Sequence, residues 1–133
     1  MPQSQIAPYG SWKSPITSDL IVKGSIGVGM VALDGPDVYW IEMRPSEAGR
    51  YVIVRHTPDN QTTDVTPKPF NARTRVHEYG GGDYTVANGT VYFSNFDDQR
   101  LYKQALNSQP IPLTPAVEMR YADPIVDSKR GRI

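Results

Sequence analysis

Short apolar runs, each four to eight residues long, alternate with turn-forming residues along most of the chain. Such runs predict β-strands, at residues 19–22, 26–33, 38–42, 51–55, 83–86, 90–94 and 100–103. They are rich in Val, Ile and Tyr, which pack well on pleated surfaces. No stretch has apolar residues at helical spacing, and 11 Gly and 12 Pro leave little room for long helices. The predicted fold class is therefore all-β.

The chain contains an internal repeat of roughly 50 residues. One series runs from the turn at 34–35, through an aromatic strand at 38–40 and a second strand at 50–52, to Thr66-Pro67. The other series has the same parts in the same order, at 88–89, 91–93, 100–102 and Thr114-Pro115. Repeating units of this length that consist of short strands are typical of β-propeller blades.

A third unit begins near the end of the chain. Residues 120–127 predict its first strand, 127–131 its turn and 132–133 the start of its second strand. The prediction is a partial β-propeller, an open arc of about two and a half blades of antiparallel strands, where a closed propeller needs at least four blades. We expect residues 1–33 to lead into the propeller and residues 34–133 to form the blades, truncated in the third, as in the N-terminal part of a longer protein. The alternative is a small β-sandwich in which the repeat is accidental.

Composition argues against several functional classes. Lys and Arg number 14 and Asp and Glu number 14, and this zero formal charge disfavours nucleic acid or an acidic membrane surface as a partner. The absence of cysteine excludes disulfides and thiolate zinc sites. No apolar run approaches the ~20 residues of a membrane-spanning helix. We expect a soluble, cytoplasmic protein without a cofactor, and one prone to self-association because an open arc exposes blade edges.

Motifs for catalysis and for cofactor or metal binding are incomplete. Ser25 comes closest to a Gly-x-Ser-x-Gly nucleophile motif but lacks the first glycine, and only His56 and His77 are present to act as a base. Residues 27–32 match Gly-x-Gly-x-x-Gly/Ala, but a turn follows where the dinucleotide motif needs a helix. Gly81 stands where His-Glu-x-x-His needs its second histidine. The sequence therefore predicts no catalytic residue, no cofactor site and no metal site.

The densest group of functional-looking residues lies at 73–79. Arg73, Arg75, His77 and Tyr79 share one face if this segment is extended, whereas Glu78 points the other way. Three glycines follow, which allow a tight turn or a close approach to another chain segment or a ligand. One interpretation is a polar cluster at the mouth of the propeller channel. The other, which we favour from the residues alone, is an inter-blade arginine–carboxylate network with a sharp turn.

Several segments of the chain carry a family resemblance. They are YGSWKSPIT at 9–17, DVYWIEMRPSE at 37–47, PFNARTRVHEYGGG at 69–82, VYFSNF at 91–96 and DQRLY at 98–102. These segments resemble bacterial members of the prolyl oligopeptidase family, S9 serine peptidases of the dipeptidyl aminopeptidase and acylaminoacyl-peptidase type. The resemblance extends from residue 8 to residue 132, and HEYGGG at 77–82 and WKSP at 12–15 are its most specific parts.

The resemblance implies a two-domain enzyme in which a propeller precedes an α/β-hydrolase domain with a Ser-Asp-His triad. That hydrolase domain is absent from this chain, and no triad residue has a matching position, so we expect the chain alone to be inactive. In such enzymes the propeller gates and orients peptide substrates. The candidate gating residues are Glu78, Arg73, Arg75 and His77, and Glu78 is a candidate for holding the substrate's amino terminus, as an acidic propeller residue does in some relatives.

The partners implied by the resemblance are peptide substrates and a C-terminal α/β-hydrolase domain in cis. The alternative function is a non-enzymatic, propeller-like interaction or scaffold module. A downstream Gly-x-Ser-x-Gly motif followed by Asp and His would support the peptidase, whereas further blades alone would support the scaffold.

Overall fold

Two four-stranded antiparallel sheets form most of the fold in a computed structural model, which describes residues 6–11, 13–77 and 80–133. The first sheet has the order β1 (Gly27–Asp34), β2 (Asp37–Arg44), β3 (Arg50–His56), β4 (Thr62–Asp64). The second has the order β5 (Tyr84–Ala87), β6 (Thr90–Ser94), β7 (Leu101–Ala105), β8 (Ile111–Pro112). Each sheet is a meander of consecutive strands, as in a propeller blade. The predicted all-β, partial-propeller fold is confirmed.

The strands predicted between residues 26 and 103 are confirmed to within two residues at either end. The strand predicted at 19–22 is wrong, because this segment lies in a short helix, α1 (Ser18–Val22). The Thr17 hydroxyl accepts a hydrogen bond from the Leu20 N–H at 3.1 Å, and Asp19 lies in the first turn. An N-cap and an early acidic residue both stabilise a helix start, so local capping outweighs the β-propensity of Ile21 and Val22.

The strand predicted at 120–127 is also wrong, because its backbone groups bond to other partners. The Tyr121 carbonyl accepts hydrogen bonds from the hydroxyls of Thr74 and Ser94, at 2.6 and 2.7 Å. The Asp123 N–H donates to the Gly82 carbonyl at 2.8 Å. Asp123 also has φ = 54°, in the left-handed region, which interrupts an extended run. The segment is therefore an irregular connection, held against Thr74, Gly82 and the end of β6.

The predicted turn after this connection is present. Asp127 and Arg132 form an antiparallel bridge, and the Arg130 N–H donates to the Asp127 carbonyl at 3.2 Å. Residues 126–128 and 131–133 share a groove with Tyr92 and Lys103 of the second sheet. The chain thus turns at the place predicted for the first hairpin of a third unit. The division at residue 34 stays a prediction, and β1, most of which precedes it, is an outer strand of the first sheet.

The core lies between the two sheets. Alternate residues of β2 and β3 face it from one side, and alternate residues of β6 and β7 from the other; the buried members include Tyr39, Ile41, Ile53, Phe93 and Tyr102. Phe70, from the connection between the sheets, packs edge-on against Phe93 and Tyr102, with ring centroids 6.0 and 5.2 Å apart. Each large apolar side chain buried in this way contributes about 1.5–3 kcal/mol.

Equivalent turns of the two units contact each other through hydrogen bonds. The Asp34 carboxylate, in the first unit, accepts bonds from the N–H groups of Asn88 and Gly89, in the second unit, at 3.0 and 2.6 Å. The Tyr84 hydroxyl donates to the Met30 carbonyl at 2.7 Å. Two of these three contacts join residues 54 positions apart, so the sequence repeat corresponds to physical contact between neighbouring blades.

The two ends of the sheets carry different connections. The turns that join β1 to β2, β3 to β4, β5 to β6 and β7 to β8 lie at one end. The opposite end, which we call the crossover end, carries residues 45–49, 65–77, 80–83, 95–100 and 113–124. Of the candidate residues predicted from the sequence, Arg73, Arg75 and His77 lie in the second of these segments.

Candidate functional site

Two of the predicted site residues lie over one aromatic ring at the crossover end. The guanidinium carbons of Arg73 and Arg75 are 5.3 and 4.9 Å from the centroid of the Phe96 ring. Arg73 also lies over Tyr51, at 5.0 Å. These distances are within the range of cation–π contacts. The structure therefore brings Arg73 and Arg75 together on one face, as predicted.

The backbone of 73–77 is irregular rather than a strand, yet its side chains alternate in burial. Thr74 is buried, whereas Arg75 and His77 are exposed. The Thr74 N–H donates to Asp83 Oδ1 at 2.6 Å, and its hydroxyl accepts from the Val76 N–H at 3.2 Å. These bonds fix Thr74 inward, which leaves the neighbouring arginines to point outward.

One groove unites the basic candidates. Arg73, Arg75 and His77 line it together with Gly80, Phe96 and Arg120, and its volume is about 330 Å³. Glu78, the remaining gating candidate, and its neighbour Tyr79 lie outside the described residues. The gating role of all four predicted residues stays a prediction.

The glycines at 80–82 serve both purposes that the sequence suggests. The Gly80 N–H donates to the His77 carbonyl at 3.0 Å and closes a turn, for which Gly80 adopts φ = 96°. A Cβ on Gly82 would lie 2.5 Å from Asp123 Oδ1, and one on Gly81 would lie 3.1 Å from Ala122 Cβ. This stretch thus needs glycine so that the connection at 121–124 can approach its backbone.

The arginine–carboxylate network that we favoured for this segment lies elsewhere at the crossover end. Arg44 pairs with Glu42 and Asp64, both at 2.7 Å, and Arg50 pairs with Glu47 at 2.8 Å. Among the residues that the structure describes, no salt bridge involves Arg73 or Arg75. Their guanidinium groups instead contact aromatic rings: Arg73 lies over Tyr51 and Phe96, and Arg75 lies over Phe96.

Glu47 is the centre of that network. The Arg50 guanidinium, 2.8 Å away, is the main reason that the pKa of Glu47 falls from 4.5 to about 2; partial burial opposes this shift, and Arg44 contributes to it. Lys68 adds a third positive charge at 3.3 Å. The network ties the turn at 45–49 to β3 and to the first part of the connection between the sheets.

Sequence analysis missed two members of the site, Arg120 and Phe96. Arg120 Nη1 donates to the Arg75 carbonyl at 2.9 Å, across 45 residues of chain. In the sequence, Arg120 could have been found only by comparing the two units: it lies in 113–124, the segment that follows the second unit and corresponds to 66–83 after the first. Phe96 follows β6 and holds its place because its N–H donates to the Asn71 carbonyl at 2.8 Å.

Acidic side chains near the groove have other partners or lie to one side. Asp83 accepts the Thr74 N–H, and burial raises the pKa of this carboxyl. Asp98 accepts bonds from the Asn95 amide at 2.9 Å and the Tyr102 hydroxyl at 2.5 Å. Asp97 and Glu118 line an adjacent hollow that also reaches Arg75 and Arg120. The groove itself is lined by cationic, aromatic and neutral groups.

The described parts of the chain show no arrangement for bond chemistry. His56 is half-buried at the end of β3, and its Nδ1 lies 2.9 Å from the Thr62 hydroxyl rather than near a serine. Within 6–11, 13–77 and 80–133, no three side chains of His, Asp or Glu lie close enough together to hold a metal ion. The Gly-x-Gly segment lies in β1, and β2 follows it directly. None of the helices in these ranges has the length and apolar character needed to cross a membrane; the predicted cytoplasmic location stays a prediction.

Two solved structures are similar to this chain over nearly its whole length. The crystal structure of a puromycin hydrolase matches 96% of the chain with a TM-score of 0.81 and 37% identity. A puromycin-hydrolyzing peptidase from Mycobacterium tuberculosis matches 92% with a TM-score of 0.78 and 39% identity. No protein-family model and no curated protein matches the chain.

This similarity shows that the fold of the chain is a partial β-propeller. It confirms the resemblance to the prolyl oligopeptidase family of S9 serine peptidases, and in particular to the N-terminal region of such enzymes. The chain spans only 21% and 20% of the two matched structures.

Proposed function

We propose that this chain is the propeller portion of an S9-type serine peptidase, in which it gates and orients peptide substrates for an α/β-hydrolase domain. The observation that carries the proposal is 37% identity over 96% of the chain to a puromycin hydrolase, with a TM-score of 0.81. In this proposal bond cleavage belongs to the hydrolase domain, in cis, and the propeller contributes access and positioning. Substrates would be peptides or, as the names of both similar proteins suggest, aminoacyl compounds such as puromycin.

The crossover end supports the positioning role. Its connections bring together side chains from 73–77, 95–100 and 113–124, which are distant in sequence. Loops held by a rigid sheet scaffold are where binding residues concentrate in many folds. In the groove of Arg73, Arg75 and Arg120, the side chains of Arg73 and Arg75 contact rings and form no salt bridge with a described residue, and this groove is our candidate for contact with substrate.

A chimaera tests the proposal. The matched segment of the Mycobacterium tuberculosis puromycin-hydrolyzing peptidase is replaced by this chain, and puromycin hydrolysis is compared with that of the same enzyme lacking the segment. We expect the chimaera to hydrolyse puromycin well above the deletion variant, and a serine-directed inhibitor to abolish that activity. A chimaera that folds, by circular dichroism and cooperative melting, but is as inactive as the deletion would contradict the proposal and favour a scaffold function.

The chain alone provides the complementary measurement. Purified 1–133 should not hydrolyse chromogenic peptide or acyl-peptide substrates. Hydrolysis that the serine-directed inhibitor abolishes would show that the chain carries its own catalytic group, against the proposed division of labour.

A further inference from the structure

We infer that the groove of Arg73, Arg75 and Arg120 binds a carboxylate group of a peptide ligand. The inference rests on the proposed function and adds a chemical class to it. It starts from the contrast between the arginines at the crossover end. Arg44 and Arg50 are saturated by Glu42, Glu47 and Asp64, whereas the groove arginines have no carboxylate partner among the described residues.

The stacking geometry leaves donors available. Arg73 and Arg75 place the guanidinium group over the Phe96 ring, and no side-chain hydrogen bond of either group occurs within the described part of the chain. A guanidinium that contacts a ring through its flat face keeps its N–H groups pointing outward in its own plane. Those in-plane N–H pairs match the two oxygens of a carboxylate and bind it in a bidentate manner.

Charge repulsion also favours an anion here. Two guanidinium ions on one ring repel each other, and Arg120 brings a third cation to the same groove through its bond to the Arg75 carbonyl. A carboxylate between them would relieve this repulsion.

The size and surroundings of the groove favour a peptide terminus or side chain over a larger polyanion. The groove is open and about 330 Å³ in volume, which suits a few atoms of a chain end rather than an extended backbone. Asp97, Asp98 and Glu118 line the adjacent hollow, so a polyanion that extended from the groove into it would meet three carboxylates, whereas a single carboxylate held in the groove would not enter that hollow.

Titration of the full 133-residue chain with three short peptides, followed by NMR of the backbone amides, tests the inference. The probes are acetyl-Ala-Ala-Ala as the free acid, the same peptide as its amide, and acetyl-Ala-Glu-Ala amide. We expect the free acid to bind at least about tenfold more tightly than the amide, with the largest shifts at 73–77, Phe96 and Arg120. The glutamate peptide shows whether a side-chain carboxylate serves equally well.

Substitutions locate the effect. R75Q and R120Q should abolish the preference for the acid over the amide, and R75K should keep only part of it because lysine lacks the planar fork. R130Q is the matched control, since Arg130 is exposed, pairs with Asp127 and lies outside the groove. Circular dichroism verifies that each variant is folded.

Three results would overturn the inference: equal binding of acid and amide, no binding of either, or an unchanged preference in folded R75Q. Tighter binding of a short single-stranded DNA than of the peptide acid would overturn it as well. An active chimaera together with equal binding of acid and amide would reject the carboxylate site and retain the proposed function. Acid-specific binding together with an inactive chimaera would reject the proposed function and retain the carboxylate site.

Discussion

The Thr-Pro pairs of the sequence repeat have a specific hydrogen-bonding role. Thr66 Oγ1 accepts the Ile53 N–H at 3.0 Å, and Thr114 Oγ1 accepts the Leu101 N–H at 3.1 Å. In both units the residue before the threonine donates its N–H to the carbonyl of the same strand residue, at 2.8 Å. Each threonine thus extends a strand ladder by one bond where proline then ends it.

Thr66→Val should therefore destabilise the chain by about 1–3 kcal/mol, because an isosteric side chain leaves the buried Ile53 N–H without an acceptor. Thr114→Val is the matched variant, and we expect a smaller loss because Thr114 is only half-buried. Urea unfolding followed by circular dichroism measures both. Equal and negligible effects would show that the repeat preserves threonine for another reason.

The Glu47 ion pairs should make stability depend on pH on the acid side. The pKa of Glu47 is about 2 in the folded chain, mainly through Arg50, against an ordinary value of 4.5. Because folding lowers this pKa, its stabilising contribution is complete above about pH 4.5 and is lost as the pH falls toward 2.

We expect the urea midpoint of the chain to fall between pH 6 and pH 3, and to fall less in E47Q, which starts less stable at pH 6. E118Q is the control, since Glu118 is exposed and its removal should leave the pH dependence unchanged. If the urea midpoint fell by the same amount between pH 6 and pH 3 in E47Q as in the unmodified chain, this role of Glu47 would be contradicted.

At the level of elements, the sequence predicted those strands whose apolar residues enter the core between the sheets. It did not predict β4 and β8, which are two or three residues long and exposed, so hydrophobic pattern carries no signal for them. The hydrogen bond to Thr17 stabilises the helix at 18–22. Hydrogen bonds from Thr74 and Ser94 to the Tyr121 carbonyl stabilise the irregular path of 120–124. These contacts are tertiary or local polar effects that strand propensity does not include.

The candidate site was predicted in the same partial way. Alternation along 73–77 placed Arg73, Arg75 and His77 on one side, and all three line the groove. Spacing along the chain does not show whether an aromatic ring or a carboxylate is closer in space, and among the described residues the contacts of Arg73 and Arg75 are with rings. The same alternation could not predict Arg120, because this residue belongs to the connection at 113–124 and lies 45 residues along the chain from Arg75, whose carbonyl it contacts.

The close contact between Gly82 and Asp123 is the element-scale feature that a single methyl group can probe. In Gly82→Ala the new Cβ would lie 2.5 Å from Asp123 Oδ1 and 3.0 Å from its Cα, so the connection must move. We expect a loss of about 1–3 kcal/mol and faster amide exchange at 121–124. Gly29→Ala is the control, because a Cβ there meets no atom within 4 Å. Equal stability of the two variants would contradict the close approach.

At the scale of the whole molecule, the turn of each unit lies beside the turn of the next. Asp34 of the first unit binds the turn of the second, and the bridge between Asp127 and Arg132 forms the next turn beside the second sheet. A sheet stacked in this way has one face against its neighbour and another face directed outward. Apolar side chains without a partner in the described structure therefore lie at two places. One is the outer face of the first sheet, and the other is the exposed surface near the turn at 127–132, which we call the third turn.

We propose that these surfaces drive self-association of the isolated chain. Side chains that are large, apolar and at least 65% exposed occur at both places: Val28, Val31 and Leu33 on β1, and Ile125 before the third turn. Burying them against another copy removes apolar area from water, and the free edge of β1 offers backbone groups for pairing. Light scattering should therefore give an apparent mass that exceeds one chain and rises with concentration. The double substitution Val31→Lys and Leu33→Lys should lower that mass. Thr63→Lys, on the exposed edge strand β4, is the control and should not lower it. A monodisperse monomer that melts cooperatively would refute the proposal.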